Sequence, residues 1–531
     1  MAADDSAHTL TRRTFSKLAG SAVASAMFSP AQSSAAPAQA SELAGLTIAE
    51  ASRRIRDHSV TPTELTEACL ARIDLYDRKL NAFITVTADL ARAQARALDA
   101  EQRAGKVRGP LHGIPVAVKD SMDTAGIRTT LATAQFKDRI PMRDAAVVER
   151  LRAAGAVLVG KTNLHEMAWG AGDISYYGPV RNPWSLDRGT GGSSSGSAAA
   201  VAASLCFSAL GTDTAASIRQ PASLCGLVGL KPTFGLVSMR GITALVDSLE
   251  HCGPLTRTVE DAAIMLDHLA GYDRLDPVSV EQPAPNYAAA VTHPVSEFRL
   301  GLPDGYFDNL DPEVAEAINR AIALLKTMTK GAKPTQLPST KEFSAGGALG
   351  AETYAIHETF LKTNPDGYSP VIRARLEAEA GIRAADYIRT RRALERLRRT
   401  IDETLFTDVD LLVLPTERGL PPLLNEMIHR SMHPTPGLTG LAGTGTANLS
   451  PFDAFGIPAI SVPCGLSQGG LPIGLQIVGP RFSEAKVLAL AAAYERASHW
   501  TSRRPPLTAG TPVPEVTGYA WHSAPALQAD R

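Results

Sequence analysis

Between Arg188 and Gln220 the chain carries two clusters of very small residues. They are Gly191-Gly192-Ser193-Ser194-Ser195-Gly196-Ser197 and Gly211-Thr212-Asp213-Thr214-Ala215-Ala216-Ser217, joined by an Ala-rich apolar segment. Residues this small leave little side-chain bulk, so a ligand can approach the backbone closely. Loops of this composition offer free N–H groups, which stabilise negative charge. Ser193 and Ser217 are therefore the candidates for chemistry. The bland alternative is a flexible Gly/Ser linker. Its flanks argue against that, because residues 198–203 and 205–210 read as buried elements.

The rest of the chain is long and apolar enough to bury such a stretch. It has 531 residues, 44% hydrophobic and 20% charged, which supports a substantial core. A net charge of −1 argues against a nucleic-acid-binding surface. The basic run Arg391, Arg392, Arg396, Arg398 and Arg399 reads as a solvated helix face. The five cysteines, Cys69, Cys206, Cys225, Cys252 and Cys464, have no CxxC spacing and are odd in number. Most read as buried small hydrophobes, with one disulfide as the alternative. The histidines are scattered and show no HExxH pattern, so no metal site is expected.

The N-terminus reads as an export signal. Thr11-Arg12-Arg13-Thr14-Phe15-Ser16-Lys17 resembles the twin-arginine pattern, a short weakly apolar segment follows, and Ala38-Gln39-Ala40 offers a cleavage site. This predicts a bacterial protein that crosses the membrane folded and works in the periplasm or outside the cell. Residues 1–40 are the expected signal, 41–510 one domain and 511–531 a C-terminal tail. No other stretch is long and apolar enough to span a bilayer.

From residue 46 onwards, helices and strands alternate. Thr47 with Glu50 and Thr61 with Glu64 fit capping boxes, and Pro62 suits a first helical position. Thr87 is expected to cap a third helix ending at Gly105, and Ser483 one near the C-terminus. Residues 116–118 read as a buried strand with Lys119 at its end. Further strands are expected at 156–159, 298–302, 410–414, 459–463 and 473–478, and helices at 144–154, 258–271 and 311–330. This rhythm predicts an α/β fold: one large domain with a mixed, mostly parallel central sheet covered by helices on both faces.

Two motifs are deceptive. Residues 155–162, GAVLVGKT, have P-loop spacing, but the residues between the glycines are themselves a strand. Gly192-Ser193-Ser194-Ser195-Gly196 has the spacing of a nucleophile elbow, yet Asn182-Pro183-Trp184 upstream reads as loop and no downstream His has a distinctive setting. A serine nucleophile still needs a base. A lysine serves if burial favours its neutral amine, and Lys119 at the end of an apolar strand is the candidate; the alternative is an ordinary surface charge. Trp169, Tyr176 and Tyr177 are candidate pocket residues, with core packing as the alternative.

The combination of Lys119 in GIPVAVKD, Ser193 in GGSSSGS and Ser217 in GTDTAASIRQP resembles the amidase signature family. The two serines lie 24 residues apart, the separation expected there. Similarity extends over nearly the whole mature chain, through Cys225-Gly226-Leu227-Val228-Gly229-Leu230-Lys231-Pro232 to Gly456-Ile457-Pro458-Ala459-Ile460-Ser461-Val462-Pro463-Cys464-Gly465. The resemblance implies a Ser–Ser–Lys triad. Ser217 would be the nucleophile and acyl carrier. Ser193, preceded by a cis peptide bond, would relay the proton, and Lys119 would be the neutral base. Backbone N–H groups of Thr214, Ala215, Ala216 and Ser217 would form the oxyanion hole. Ser194, Asp213 and Arg219 would be supporting residues. No cofactor and no metal are implied. The expected partner is a small-molecule amide, with no nucleic acid and no stable membrane insertion; a homodimer is compatible with the sequence.

The chain departs from the family pattern twice. Ala215-Ala216 stands where Gly-Gly is usual, and alanine tolerates positive φ poorly. Asp453 stands where asparagine is common. The leading expectation is an exported amidase that hydrolyses a carboxylic amide. The alternatives are the amidotransferase subunit of tRNA-dependent amidation and a non-catalytic binding relative.

Overall fold

Val116 and Val118 point into one apolar layer and Ala117 into another; in a second strand Leu158 joins the first layer while Val157 and Val159 join the second. Side chains of a strand alternate between faces. Near-continuous apolar runs therefore call for a sheet covered on both sides. The structure, a computed structural model describing residues 41–283, 285–343, 347–433, 446–519 and 521, contains that sheet.

Its strands run in chain order as β1 (Phe83–Val86), β2 (Pro115–Lys119), β3 (Val157–Thr162), β4 (Arg181–Asn182), β5 (Ser185–Gly189), β6 (Ser208–Asp213), β7 (Val228–Lys231) and β8 (His251–Thr256). They continue as β9 (Leu300–Pro303), β10 (Ala332–Thr335), β11 (Leu411–Pro415), β12 (Ala459–Leu466) and β13 (Pro472–Val478). Eleven of them form one sheet in the order β1-β3-β2-β6-β8-β7-β12-β13-β11-β9-β10, while β4 and β5 pair separately. Pairing is parallel in two blocks, β3-β2-β6 and β11-β9-β10, and antiparallel between their neighbours. This is the mixed α/β sheet expected from the alternation of strands and helices.

Helices cover both faces. The first layer takes apolar residues from α1 (Ile48–Arg56), from the start of α2 (Pro62–Leu80), and from further helices. The second takes them from α3 (Ala88–Arg103) and, after α4 (Ala146–Ala153) on the first face, from α5 (Ser195–Ala202) and α6 (Arg219–Leu224). The Ala-rich segment between the two small-residue clusters is thus α5 followed by β6, both buried.

Both expected capping boxes form, at Thr47–Glu50 and Thr61–Glu64. Two other caps do not. The Thr87 hydroxyl donates to Leu158 O at 2.8 Å, and Ser483 donates to Pro480 O at 2.6 Å, so neither caps the helix that follows. In each case a nearby carbonyl outcompetes the helical N–H groups. Arg398 also departs from the solvated-face reading. It is buried, donates to Ala454 O and Ser248 O at 2.9 Å, and stacks 4.1 Å from the Phe234 ring centre.

All five cysteines are free thiols. Residues 511–519 lie against the body: Lys79 Nζ donates to Thr511 O at 2.7 Å and Thr517 N to Asn425 Oδ1 at 3.1 Å. Residues 1–40, read as the export signal, lie outside the described residues. Among the described residues no helix is long and apolar enough to cross a membrane.

Candidate active site

Three lysines sit fully buried in the strand core, and their partners distinguish them. Lys161, in β3, pairs with Asp120 Oδ1 at 3.1 Å and also holds Met122 O and Thr129 Oγ1. Lys231, at the end of β7, donates to Ile457 O at 2.7 Å and Pro232 O at 3.2 Å. Lys119, at the end of β2, donates to two hydroxyls, Ser193 Oγ and Thr212 Oγ1, each at 2.8 Å. Burial pulls its ammonium down from 10.5 to about 8, against the opposing pull of the Glu250 and Asp213 charges. A lysine at such a value holds a useful fraction of neutral amine near neutral pH.

The parallel pairing β3-β2-β6 sets this up. β2 and β6 run side by side, with Val118 opposite Leu210, so their C-terminal ends emerge together and bring Lys119 next to Thr212. Ser193 arrives from the loop before α5. The Gly192-Ser193 peptide is cis, as the resemblance implied, and Ser193 O accepts from His165 N at 3.1 Å. Ser194 joins the two clusters: its Oγ donates to Thr212 O at 3.2 Å and accepts from Thr212 N at 3.2 Å, and its N–H donates to Ser217 O at 3.3 Å.

Ser217 differs from Ser193 and Ser194 in exposure. They are fully buried, whereas Ser217 is half-buried at a small cavity that Thr214, Ala215, Ala216, Gln220 and Leu245 also line. Among the described residues, the N–H groups of Thr214, Ala215, Ala216 and Ser217 have no hydrogen-bond acceptor within the chain. Four unpaired donors beside one accessible serine make a place where a carbonyl oxygen gaining charge could be held. Neither Ala215 nor Ala216 has positive φ. The turn therefore does not require glycine at either position, and the two methyl groups narrow the cavity instead.

Beneath the turn lies a buried ionic cluster. Arg219 Nε donates to Asp213 Oδ2 at 2.9 Å, and its Nη2 to Asp453 Oδ2 at 2.6 Å; Gln476 Oε1 and Leu449 O take Nη1. Asp213 Oδ2 further accepts from Ile218 N at 3.2 Å. Burial works against the Asp213 carboxylate, but Arg219 holds it below its ordinary range. Asp453 is pushed well above its ordinary value by burial, with the neighbouring Asp213 charge adding to this against the pull of Arg219. Asp453 is thus a second carboxylate on Arg219 and not a peripheral substitution.

Three residues at the site, Thr212, Glu250 and Gln220, were not among the candidates. Thr212 is Lys119's second acceptor. Glu250 Oε2 accepts from Thr214 Oγ1 at 2.5 Å and Leu245 N at 2.8 Å. Gln220 Oε1 accepts from Gly192 N at 3.2 Å, while its Nε2 donates to Glu417 Oε1 at 2.9 Å. Thr212 and Gln220 lie inside the motif GTDTAASIRQP, which was the available signal; Glu250 meets the site only through the fold. Trp169, Tyr176 and Tyr177, the candidate pocket aromatics, are absent from the cavity lining: Trp169 is buried beneath Arg375, and the two tyrosines pack edge to face.

The model of the family described as Amidase matches residues 64–488. The A subunit of glutamyl-tRNA(Gln) amidotransferase from Moorella thermoacetica is 38% identical over 493 residues, covering 88% of this chain and 99% of that protein. The solved native peptide amidase from Stenotrophomonas maltophilia superposes with a TM-score of 0.74 at 31% identity, covering 87% of this chain and 98% of that one. The 6-aminohexanoate cyclic dimer hydrolase, solved with its substrate, gives a TM-score of 0.79 at 28% identity, covering 87% and 99%. With the family model spanning most of its length and relatives of 38% identity covering 88% of it, this chain belongs to the amidase signature family.

Proposed function

We propose that this protein cleaves the C–N bond of a carboxamide through an acyl-enzyme on Ser217. The observation that carries this reading is the 2.8 Å contact between Lys119 Nζ and Ser193 Oγ, made by a buried lysine with no carboxylate in salt-bridge contact among the described residues. As Ser217 Oγ bonds to the amide carbon, its proton passes to Ser193 Oγ, and the Ser193 proton passes to neutral Lys119. The carbonyl oxygen gains charge facing the N–H groups of residues 214–217; one such donor is worth roughly 3 kcal/mol at the transition state. The nitrogen then departs with a proton returned through Ser193, and water releases the acid from Ser217.

The fate of the departing nitrogen has two readings, and each has support. The solved amidase and hydrolase relatives support free hydrolysis, with ammonia or an amine released. The Arg12-Arg13 pattern would place that enzyme outside the cytoplasm. The curated relatives support the other reading: at 38% identity they are amidotransferase A subunits, and the comparisons favour it. In that case the ammonia would be passed on with partner subunits and tRNA.

One experiment addresses both. The chain from Ser41 onwards is incubated alone with aliphatic amides, aryl amides, peptide amides and glutamine, and ammonia or amine release is followed. Turnover without partners, abolished in Ser217→Ala, supports the amidase. Turnover only of glutamine, and only with co-purified subunits, supports the amidotransferase. Near wild-type turnover by Ser217→Ala overturns the common chemistry.

A further inference from the structure

Glu250 lies just before β8 and is 1% exposed. Its Oε2 holds Thr214 and Leu245 N, while Oε1 has no hydrogen-bond partner among the described residues. Thr212 Oγ1, the second acceptor of the Lys119 ammonium, lies two residues before Thr214 on the same segment, whose pairing of Asp213 with His251 sets Thr214 beside Glu250. The segment from Thr212 to Thr214 therefore touches Lys119 at one end and Glu250 at the other, where the cavity-lining turn begins.

The charged and titratable groups facing Lys119 are Glu250, Asp213, Cys252 and His165, the last held against Asp173 at 3.3 Å. Asp213 is already matched by Arg219, and burial pushes the Cys252 thiol up to about 12, so it stays neutral. Among the described residues Glu250 is in no salt bridge. Facing Glu250 in turn are Lys119, Thr214, Leu245 N and Thr212.

We propose that Glu250 is a positioning residue of this active site, coupling the Lys119 base to the turn that begins at Thr214 through the segment from Thr212 to Thr214. It touches neither substrate nor reacting atoms. The proposal rests on Lys119 being the base and Ser217 the nucleophile. A negative charge nearby favours the ammonium form and so opposes burial. This lets Lys119 keep the proton it receives during acylation, while the same carboxylate anchors the turn that carries the N–H donors.

The test is the rate of Ser217 labelling by a fluorophosphonate as a function of pH, on the chain from Ser41 onwards. For the wild type the rate should rise through about pH 8. Glu250→Gln keeps an acceptor for Thr214 and removes the charge, so the rise should move about one unit lower. Glu250→Asp should restore the wild-type position. Thr214→Val should lower the plateau several-fold and leave the rise in place. A Glu250→Gln profile superimposable on the wild type overturns the proposal. If Glu250→Gln does not fold, judged by circular dichroism, Thr212→Val reads the same link, and an unmoved rise again overturns it. Failure of the wild type to label at Ser217, or labelling of Lys119→Ala at the wild-type rate, would count against the underlying chemistry instead.

Discussion

Lys119 Nζ donates to Ser193 Oγ at 2.8 Å from a position with no solvent exposure. Lys161, one strand away and equally buried, faces Asp120 at 3.1 Å. Burial lowers both lysines, and their contacts differ: the Asp120 charge opposes that loss at Lys161, whereas Lys119 touches two hydroxyls.

The pH dependence of turnover follows from this contrast. Lys119 must be neutral to accept a proton, and its value is about 8, so kcat/KM should climb as pH rises through that value and level off above it. Lys119→Ala should lower kcat/KM by about 10³-fold or more. Lys119→Arg should be equally inactive, since a guanidinium cannot supply a neutral base. Lys161→Met should cost stability first, because it leaves Asp120 buried and unpaired. Initial rates from pH 6 to 10, alongside thermal melts, separate the two lysines.

Asp453 makes stability itself pH-dependent. Its folded value lies well above 3.8, so between those two values the folded state retains a proton that the unfolded chain has lost. Stability from this group is therefore lost as pH rises through that window. Asp453→Asn keeps an oxygen for Arg219 and removes the buried charge. It should flatten the decline and leave the protein at least as stable at pH 8. Denaturant midpoints at pH 5 and pH 8 for both proteins check this, and a steeper decline in the variant would contradict it.

Ala215 and Ala216 offer a specificity test. Both have ordinary negative φ, so glycine at either gains no relief of strain and costs about 0.4–1 kcal/mol of stability. Both also line the cavity beside Ser217. Ala216→Gly should lower KM for the bulkier amides of the panel more than for the smallest. An equal change for all of them would mean the methyl does not limit substrate size.

The glycines of the first cluster serve packing as much as any ligand. A Cβ at Gly196 would sit 2.3 Å from Ala82 O and 2.6 Å from Asn163 N and O, all backbone atoms that cannot swing aside. Gly196→Ala should destabilise the protein by about 3 kcal/mol or more. Gly381→Ala, with no atom within 4 Å of the added carbon, is the control and should change stability by no more than about 0.5 kcal/mol. Urea denaturation of the two variants gives the comparison.

The small-residue stretch shows how far reading by residue type reaches. Density of Gly, Ala and Ser correctly marks a place of close backbone approach, yet at Gly196 the approaching backbone is the protein's own. At Gly192 it is the segment 170–172, with Ala171 C and Gly172 N both 2.7 Å from where a Cβ would stand, even though Gly192 also lines the cavity. The capping boxes at Thr47 and Thr61 were legible because both partners lie three residues apart. The cap expected of Thr87 was lost to the carbonyl of Leu158, 71 residues away, whereas that of Ser483 was lost to the carbonyl of Pro480 only three residues before it.

What the sequence determined by itself is what depends on local pattern. Apolar periodicity gave the alternating strands and helices and a sheet buried on both faces. Motif order gave Lys119, Ser193 and Ser217 as the residues to follow. Tertiary structure alone decided the setting of each. It put hydroxyls and no carboxylate against Lys119, brought Glu250 from 131 positions later against Thr214, and set a second acid, Asp453, on Arg219. The physical reason is that a charge is tuned by whatever lies within a few ångströms of it once water is gone, and distance along the chain says nothing about that.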